Sequence, residues 1–253
     1  MTLWRYQTDA NRAGEIEHRR LLAKAPVETW MPMVEKRMED TKRIFRKLNL
    51  PINHLWDVAE IGADKCQRIM ALVEEYGMKG YAIDISPDML RLGAAIAQHR
   101  NWPDGRRLKM QPIDLMEYEP DVPFHLVICF ATVHHFPDPR PVFAKVKKML
   151  GPKGYFYFDR EPMKSYLGLH EVKRIWGGIK YGREPETKYG ILEDSFPLEE
   201  WIKAFDLFED WDVSLSWPHT PYRLDMRKVK ESRWLRSLAR TTGGRLSGLL
   251  RKF

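Results

Sequence analysis

The sequence predicts an α/β fold in which a mainly parallel sheet carries helices on both faces and a helical cap precedes it. Two observations lead there. First, residues 56 to 162 contain five short apolar runs, Trp56–Ile61, Gly80–Ile85, Arg107–Ile113, His125–Phe130 and Tyr155–Phe158, separated by helical or turn-rich stretches. Buried strands alternating with helices are the pattern of a parallel sheet covered on both sides. Second, Glu60, Asp84 and Asp114 lie at three successive strand ends, and such sheets bind ligands at the carboxyl ends of their strands. After the first strand comes Glu60-Ile61-Gly62-Ala63, where a tight turn lets backbone approach a ligand.

Taken in order, residues 1–50 read as the cap, with helices over Ala10–Leu22 and Glu28–Leu48 interrupted by Pro26 and Pro32. Trp4, Tyr6, Trp30, Met31 and Met33 are candidates to line that cap, packing without substrate contact being the alternative for each. Residues 51–162 form the α/β core. Residues 163–222 begin with a long insertion rich in Gly, Tyr, Trp and charge, of the kind that forms binding loops at the carboxyl end of a sheet. Pro197–Phe208 then reads as an amphipathic helix and Trp211–Trp217 as a sixth strand. Residues 218 to 227 are too polar and Pro-rich to read as a further strand, which points to a truncated or remodelled final hairpin.

Five segments together resemble the successive motifs of class I S-adenosylmethionine (SAM) methyltransferases. They are Glu60-Ile-Gly-Ala, Ala82-Ile-Asp-Ile-Ser-Pro, Ile113-Asp-Leu, the Val133-His-His-Phe-Pro-Asp-Pro run and Leu150-Gly-Pro-Lys-Gly. Asp84 follows Gly62 by 22 positions, close to the ~20 that separate a glycine turn from a ribose-gripping carboxylate. The resemblance implies a Rossmann-like methyltransferase fold and SAM as cofactor. It assigns cofactor contact to Glu60, Gly62, Ala63, Asp64, Asp84, Ile85, Met89, Asp114, Leu115 and Ala131. Asp84 would take the ribose hydroxyls and Asp114 the adenine amino group. Cys66 in the first motif and Arg160-Glu-Pro after the fifth strand resemble a bacterial branch linked to saccharide or lipid-linked glycan pathways.

One motif departs from the family pattern. The loop Gly62-Ala63-Asp64-Lys65-Cys66 has one glycine where the family has two or three. A dinucleotide pyrophosphate needs bare backbone, and Asp64 would repel it, which argues against a nicotinamide-dependent oxidoreductase. Asp tolerates a left-handed turn better than most residues. Asp64 facing the cofactor ammonium with Lys65 near its carboxylate is one reading, and two solvated turn residues are the other. A methyltransferase fold that has lost catalysis is the second functional class, supported only by this thinned loop.

The sulfonium of SAM is an activated donor, so the protein mainly aligns a nucleophile and excludes water. A hydroxyl acceptor also needs a base. His134 and His135 follow the fourth strand and titrate near neutrality, which makes them the candidate catalytic residues; shaping the loop is the alternative. Glu161, Tyr166, Tyr189 and Glu193 are the candidates for acceptor contact, the acceptor being a small molecule or glycan-like group methylated on oxygen or nitrogen.

Composition bounds the rest. The chain of 253 residues suits one substantial core. No apolar run approaches ~18 residues and the first residues lack a secretory signal, so a cytoplasmic protein is expected. The two cysteines, Cys66 and Cys129, fall inside core elements and read as buried reduced thiols. No Cys/His spacing indicates a metal. The net charge of +7 is confined to residues 223–253, which carry +8, so nucleic acid is not the expected partner of the catalytic cleft. Trp234, Leu235 and Leu238, then Leu246, Leu249, Leu250 and Phe253, repeat a helical apolar spacing among Arg and Lys. Two readings stand for this tail: helices on an anionic membrane surface at the inner face, or helices packed back on the domain.

Overall fold

The computed structural model describes residues 9–102, 107–164, 195–217 and 222–253. Tyr166, Tyr189 and Glu193 lie outside them, as do Trp4 and Tyr6. The elements run α1 (Asp9–Leu22), α2 (Val27–Leu48), β1 (Asp57–Ile61), α3 (Gln67–Tyr76), β2 (Lys79–Asp84), α4 (Pro87–His99), β3 (Leu108–Pro112) and β4 (Phe124–Phe130). A single 3-10 turn, Val133–His135, follows, then α5 (Pro139–Met149), β5 (Leu150–Met163), α6 (Leu198–Phe205) and β6 (Asp210–Ser216). The chain closes with β7 (Arg223–Asp225), α7 (Met226–Glu231), α8 (Arg233–Thr242) and β8 (Gly244–Arg251).

The eight strands form one sheet in the order β3-β2-β1-β4-β5-β8-β6-β7. β1 to β5 pair in parallel, while β8 runs antiparallel to both β5 and β6. Strand order reverses at β1, which lies between β2 and β4, so a ligand crevice is expected beyond the carboxyl ends of those strands. This is the α/β architecture that the five apolar runs predicted.

Local sequence explains where the core helices start. Ser86 caps α4 by accepting from the Met89 amide at 3.3 Å, with Pro87 in the first turn; Asp138 caps α5 by accepting from the Arg140 amide at 2.8 Å, ahead of Pro139. α2 runs unbroken through Pro32, contrary to the expected interruption, and buries Val34, Met38, Thr41 and Phe45. Each face of the sheet buries its own apolar layer. On one, Phe143, Phe156, Phe158, Trp201 and Phe205 stack with centroids 5.1–6.2 Å apart. On the other, α2, α3 and α4 cover β1 and β2 through Phe45, Ile69, Met70, Leu72 and Met89. Truncating Phe143 to Ala would leave a cavity among these rings and cost about 3–5 kcal/mol.

The tail differs most from expectation. Residues 244–251 are not a helix but the strand that fills the sheet between β5 and β6. Leu246, Gly248 and Leu250 are buried, alternating with residues on the other face, and this two-residue period overrides the helical spacing of the leucines. Gly248 is needed here, because a Cβ would sit 2.6 Å from the Asp212 carbonyl oxygen. The final hairpin is therefore complete, with β8 between β5 and β6, and Arg223–Asp225, within the stretch expected to hold no strand, forms the short edge strand β7. Four of the ten basic residues of this tail are engaged by the domain. Arg227 pairs with Asp210, Lys230 with Asp206, and Arg240 with Glu199, while Lys252 Nζ donates to the Lys147 carbonyl oxygen at 3.0 Å. Of the tail positions proposed for membrane contact, only Trp234 and Phe253 are exposed large apolar side chains. The first of the two expected tail helices is thus present as α8, and the second is corrected to the strand β8.

Candidate active site

A cavity of about 250 Å³ opens at the carboxyl ends of β1, β2, β4 and β5, beneath α1 and α2. Its floor includes Glu60, Ile61, Gly62, Asp84 and Ala131, and Ile85, Ile113, Leu115 and Phe136 form an apolar wall. Of the residues expected at the cofactor, Glu60, Gly62, Asp64, Asp84, Ile85, Leu115 and Ala131 line it. Ala63, Met89 and Asp114 do not line it: Ala63 and Met89 are fully buried, and Asp114 is 6% exposed.

The loop after β1 keeps a glycine-like backbone with few glycines. Gly62, Asp64 and Cys66 alternate in the left-handed region at φ 65°, 50° and 58°. A non-glycine residue pays roughly 1–2 kcal/mol for that conformation. Hydrogen bonds hold it: the Gly62 and Ala63 amides donate to the Ile83 carbonyl oxygen at 2.9 and 3.2 Å, and the Asp64 amide donates to Asp84 Oδ2 at 2.8 Å. Gly62 has a second reason to be glycine, since a Cβ there would meet Thr132 Oγ1 at 2.3 Å. Asp64, Ala131 and Arg160, all lining the cavity, are among the non-glycine residues with positive φ. Such strain concentrates at functional sites.

The strand-end carboxylates differ in environment. Asp84 accepts from the Asp64 amide through one oxygen and from the Ser86 amide, at 2.8 Å, through the other. Burial pushes its carboxyl up, against the pull of those amides and Arg19. Asp114 is likewise pushed up by burial, offset by the Met116 amide and Arg12. Glu60 is pushed up to about 8 by burial, despite Arg68 and the Ile69 amide, which donates to Oε2 at 3.0 Å. It is therefore largely protonated at neutral pH. Asp64 is held down: burial opposes its charge, but Lys65, Arg19 and Arg37, at 2.7, 3.4 and 3.5 Å, outweigh that. Lys65 does not line the cavity; its ammonium sits 4.3 Å above the Trp30 ring. Trp30, Met31 and Met33 pack against the core, as the packing reading had it.

The two histidines separate in role. His135 lines the cavity, whereas His134 turns its Nδ1 to Glu161 Oε2 at 2.9 Å. Glu161, expected at the acceptor, has no exposed surface and anchors the turn instead. One of its oxygens accepts from the Thr132 and Val133 amides at 2.7 and 3.0 Å, the other from the His134 amide at 3.2 Å. Burial opposes its charge, yet His134 and these amides hold the carboxyl below the usual carboxylate range. A buried ionised carboxylate on a strand that looked apolar was not legible as an anchor.

Residues 59–156 match the family model of a methyltransferase domain. The matched segment, less than half of the chain, runs from β1 into β5. No curated protein matches the chain in sequence. Among solved structures, a chain from the complex of the Haloferax volcanii Trm112 methyltransferase activator is similar, with a TM-score of 0.55 at 17% identity over 91% of this chain and 99% of that one. Haemonchus contortus phosphoethanolamine N-methyltransferase 2 bound to S-adenosyl-L-methionine gives 0.57 at 14% identity over 85% of this chain and 52% of its own. Bacillus subtilis YcgJ gives 0.56 at 15% identity, over 85% and 98%. At these identities the likeness is one of fold.

Around the cavity lie cations that the motifs did not reveal. Arg19 on α1 donates to Glu15 Oε1 at 2.7 Å and, with Arg37 of α2, brings the cap down on Asp64. Burial works against the charge on Arg19, but Glu15 and Asp64 more than restore it. Arg68, in the first turn of α3, is buried and also lines the cavity. Its signal was available: a charged residue directly ahead of the apolar run Ile69-Met70-Ala71-Leu72-Val73. Both cysteines are buried and their thiols are pushed well up by burial, so neither is a nucleophile. Among the described residues, no cluster of three His, Cys, Asp or Glu side chains could hold a metal.

Proposed function

We propose that the protein is a SAM-dependent methyltransferase acting on oxygen or nitrogen of a small-molecule or glycan-like acceptor. The observation that carries this is the loop Gly62–Cys66 with its Asp64 amide bonded to Asp84. The loop retains the left-handed turns of a glycine-rich motif and presents a strand-end carboxylate beside them. That retention counts against a decayed, non-binding site.

The residues suit the cofactor. Each Asp84 oxygen has one amide partner and a second lone pair for a ribose hydroxyl. Ile85, Leu115 and Phe136 offer an apolar wall to a flat base. Asp64 with Arg19 offers both signs of charge to an amino acid zwitterion. When bound, SAM supplies an activated methyl group. The chain's part is to hold the acceptor in line and keep water out, with α1 and α2 closing the cavity from above. His135, at the wall of the same cavity, is placed to take a proton from a hydroxyl acceptor.

Calorimetry with SAM, its demethylated product S-adenosylhomocysteine and NADH tests the reading. Micromolar binding of the first two and none of NADH is expected. Losing a charge-assisted hydrogen bond costs about 1.5–3 kcal/mol, so Asp84→Ala should weaken binding about ten- to a hundredfold. An unchanged affinity in that variant would overturn the assignment.

A further inference from the structure

The cavity wall away from Asp84 carries three guanidinium groups. Arg37 comes from α2, Arg68 from the first turn of α3 and Arg160 from β5. The sheet order β2-β1-β4-β5 separates Asp84, at the end of β2, from Arg160 by the width of two intervening strands. We propose that these three arginines form an anion subsite on the acceptor side, built for a carboxylate, phosphate or sulfate group of the methyl acceptor. The inference rests on the methyl-transfer reading and narrows its substrate class to anionic acceptors.

Arg68 is the centre of the argument. It is 5% exposed, with its guanidinium carbon 3.8 Å from the Phe130 ring centroid. Its hydrogen bond to Thr41 Oγ1 is long, 3.4 Å, and the Thr41 hydroxyl in turn donates to the Arg37 carbonyl oxygen at 2.7 Å. Among the described residues no carboxylate lies within ion-pair distance of Arg68. Glu60, the nearby acid, is largely neutral for the reason given above. A buried cation without a carboxylate at ion-pair distance is costly, and this one lines a cavity rather than a packed core. Burial, then the repulsion of Arg37 and Arg160, act against its charge, while Glu60 and Asp159 act for it without restoring it fully.

Arg160 reaches this wall by a distortion of the sheet. Between Phe158 and Glu161, β5 has one residue more than its partner β8: Phe158 pairs with Gly248 and Glu161 with Leu246. Bulges of this kind re-aim a side chain. Arg160 within it has φ 66°, a conformation an arginine adopts at a cost. Its Nε lies 3.8 Å from Asp159, too far to fill its donors. Arg37 has only a 3.5 Å contact with Asp64, which Lys65 and Arg19 also share. The forked donors of three arginines suit an oxyanion better than a neutral hydroxyl.

Titration of inorganic phosphate into full-length protein saturated with S-adenosylhomocysteine tests the subsite. Phosphate should bind without displacing the nucleoside. Arg160→Gly removes the guanidinium while easing the left-handed backbone, so the fold is kept; it should weaken phosphate binding about tenfold or more and leave S-adenosylhomocysteine affinity within about twofold. Arg68→Gln should act in the same direction. No phosphate binding by the saturated protein would overturn the proposal. So would competition between phosphate and S-adenosylhomocysteine with Arg160→Gly weakening the latter, since the arginines would then serve the cofactor's own carboxylate. A protein that binds phosphate through Arg160 but never S-adenosylhomocysteine would uphold the subsite and overturn the methyl-transfer reading instead.

Discussion

Glu161→Gln probes the anchor beneath the histidine turn. In the wild type one oxygen takes the Thr132 and Val133 amides and the other takes the His134 amide and ring. Glutamine has one acceptor oxygen and an amide nitrogen that only donates. Its best placement keeps the oxygen on Thr132 and Val133, so the nitrogen faces the His134 amide and one buried donor goes unpaired. The remaining bonds also lose the strength that charge gives them. With about 1–3 kcal/mol for the orphaned donor and about 1 kcal/mol for each of the two weakened bonds, the loss comes to roughly 3–5 kcal/mol. The pH dependence follows from the lowered carboxyl. A depressed folded-state pKa stabilises above the unfolded value, about 4.3, and that contribution is lost as pH falls through the folded one. The gap between wild type and variant should therefore be full at neutral pH and close only below the ordinary carboxylate range. Urea denaturation of both proteins across that range measures it, and turnover should fall in the variant while S-adenosylhomocysteine affinity holds. Stability within about 0.5 kcal/mol of wild type, the scatter of surface substitutions, would refute the anchoring role.

His135→Ala should lower turnover by roughly 10²–10⁴ if the acceptor is a hydroxyl, with cofactor affinity unchanged; normal turnover at saturating substrate would return it to a structural role. Deleting residues from Gly244 onward removes the strand between β5 and β6, so the truncated protein should lose its cooperative unfolding transition by circular dichroism rather than merely lose an appendage. Glu60→Gln keeps an acceptor for the Ile69 amide and removes an acid whose folded pKa is raised to about 8. Relative to this variant, the wild type should be most stable below the unfolded value and lose ground as pH rises towards 8. Equal urea midpoints for the two proteins at every pH would contradict the buried, proton-retaining state of Glu60.

The parallel core was legible because burial on both faces writes continuous apolar runs, and β1 to β5 each overlap a run read from the sequence. The strand-end acids were legible for the same reason, being polar residues placed where apolar runs stop. The tail was not. Leu246, Leu249 and Leu250 fit a helix stripe on one period and a two-faced strand on the other, and only pairing with β5 and β6 decides between them. Gly244 and Gly248 were the available hint, because two glycines in ten residues disfavour a helix. The arginines of the cavity were hidden differently. Arg19, Arg37 and Arg68 come from three helices whose approach depends on tertiary packing, and no spacing within one segment shows that they meet.

The loop after β1 joins these lines. Read as sequence, Asp64 and Cys66 in place of glycines looked like erosion of a cofactor motif. In the fold both residues take the left-handed turns glycine would take, and each substitution brings a contact glycine could not make. Asp64 gathers Arg19, Arg37 and Lys65, which fastens the cap helices to the cofactor loop. The Cys66 sulfur packs so close to α4 that a Cβ on Gly93 would lie 2.9 Å from it. A strain of about 1–2 kcal/mol at each residue is thus offset locally by ion pairs and by helix packing. The same ion pairs tie Arg37 to this loop, and Arg68 beside it also lines the cavity. Asp64 thus links α1, α2 and the loop after β1 through its ion pairs, and a change in its charge reaches all three.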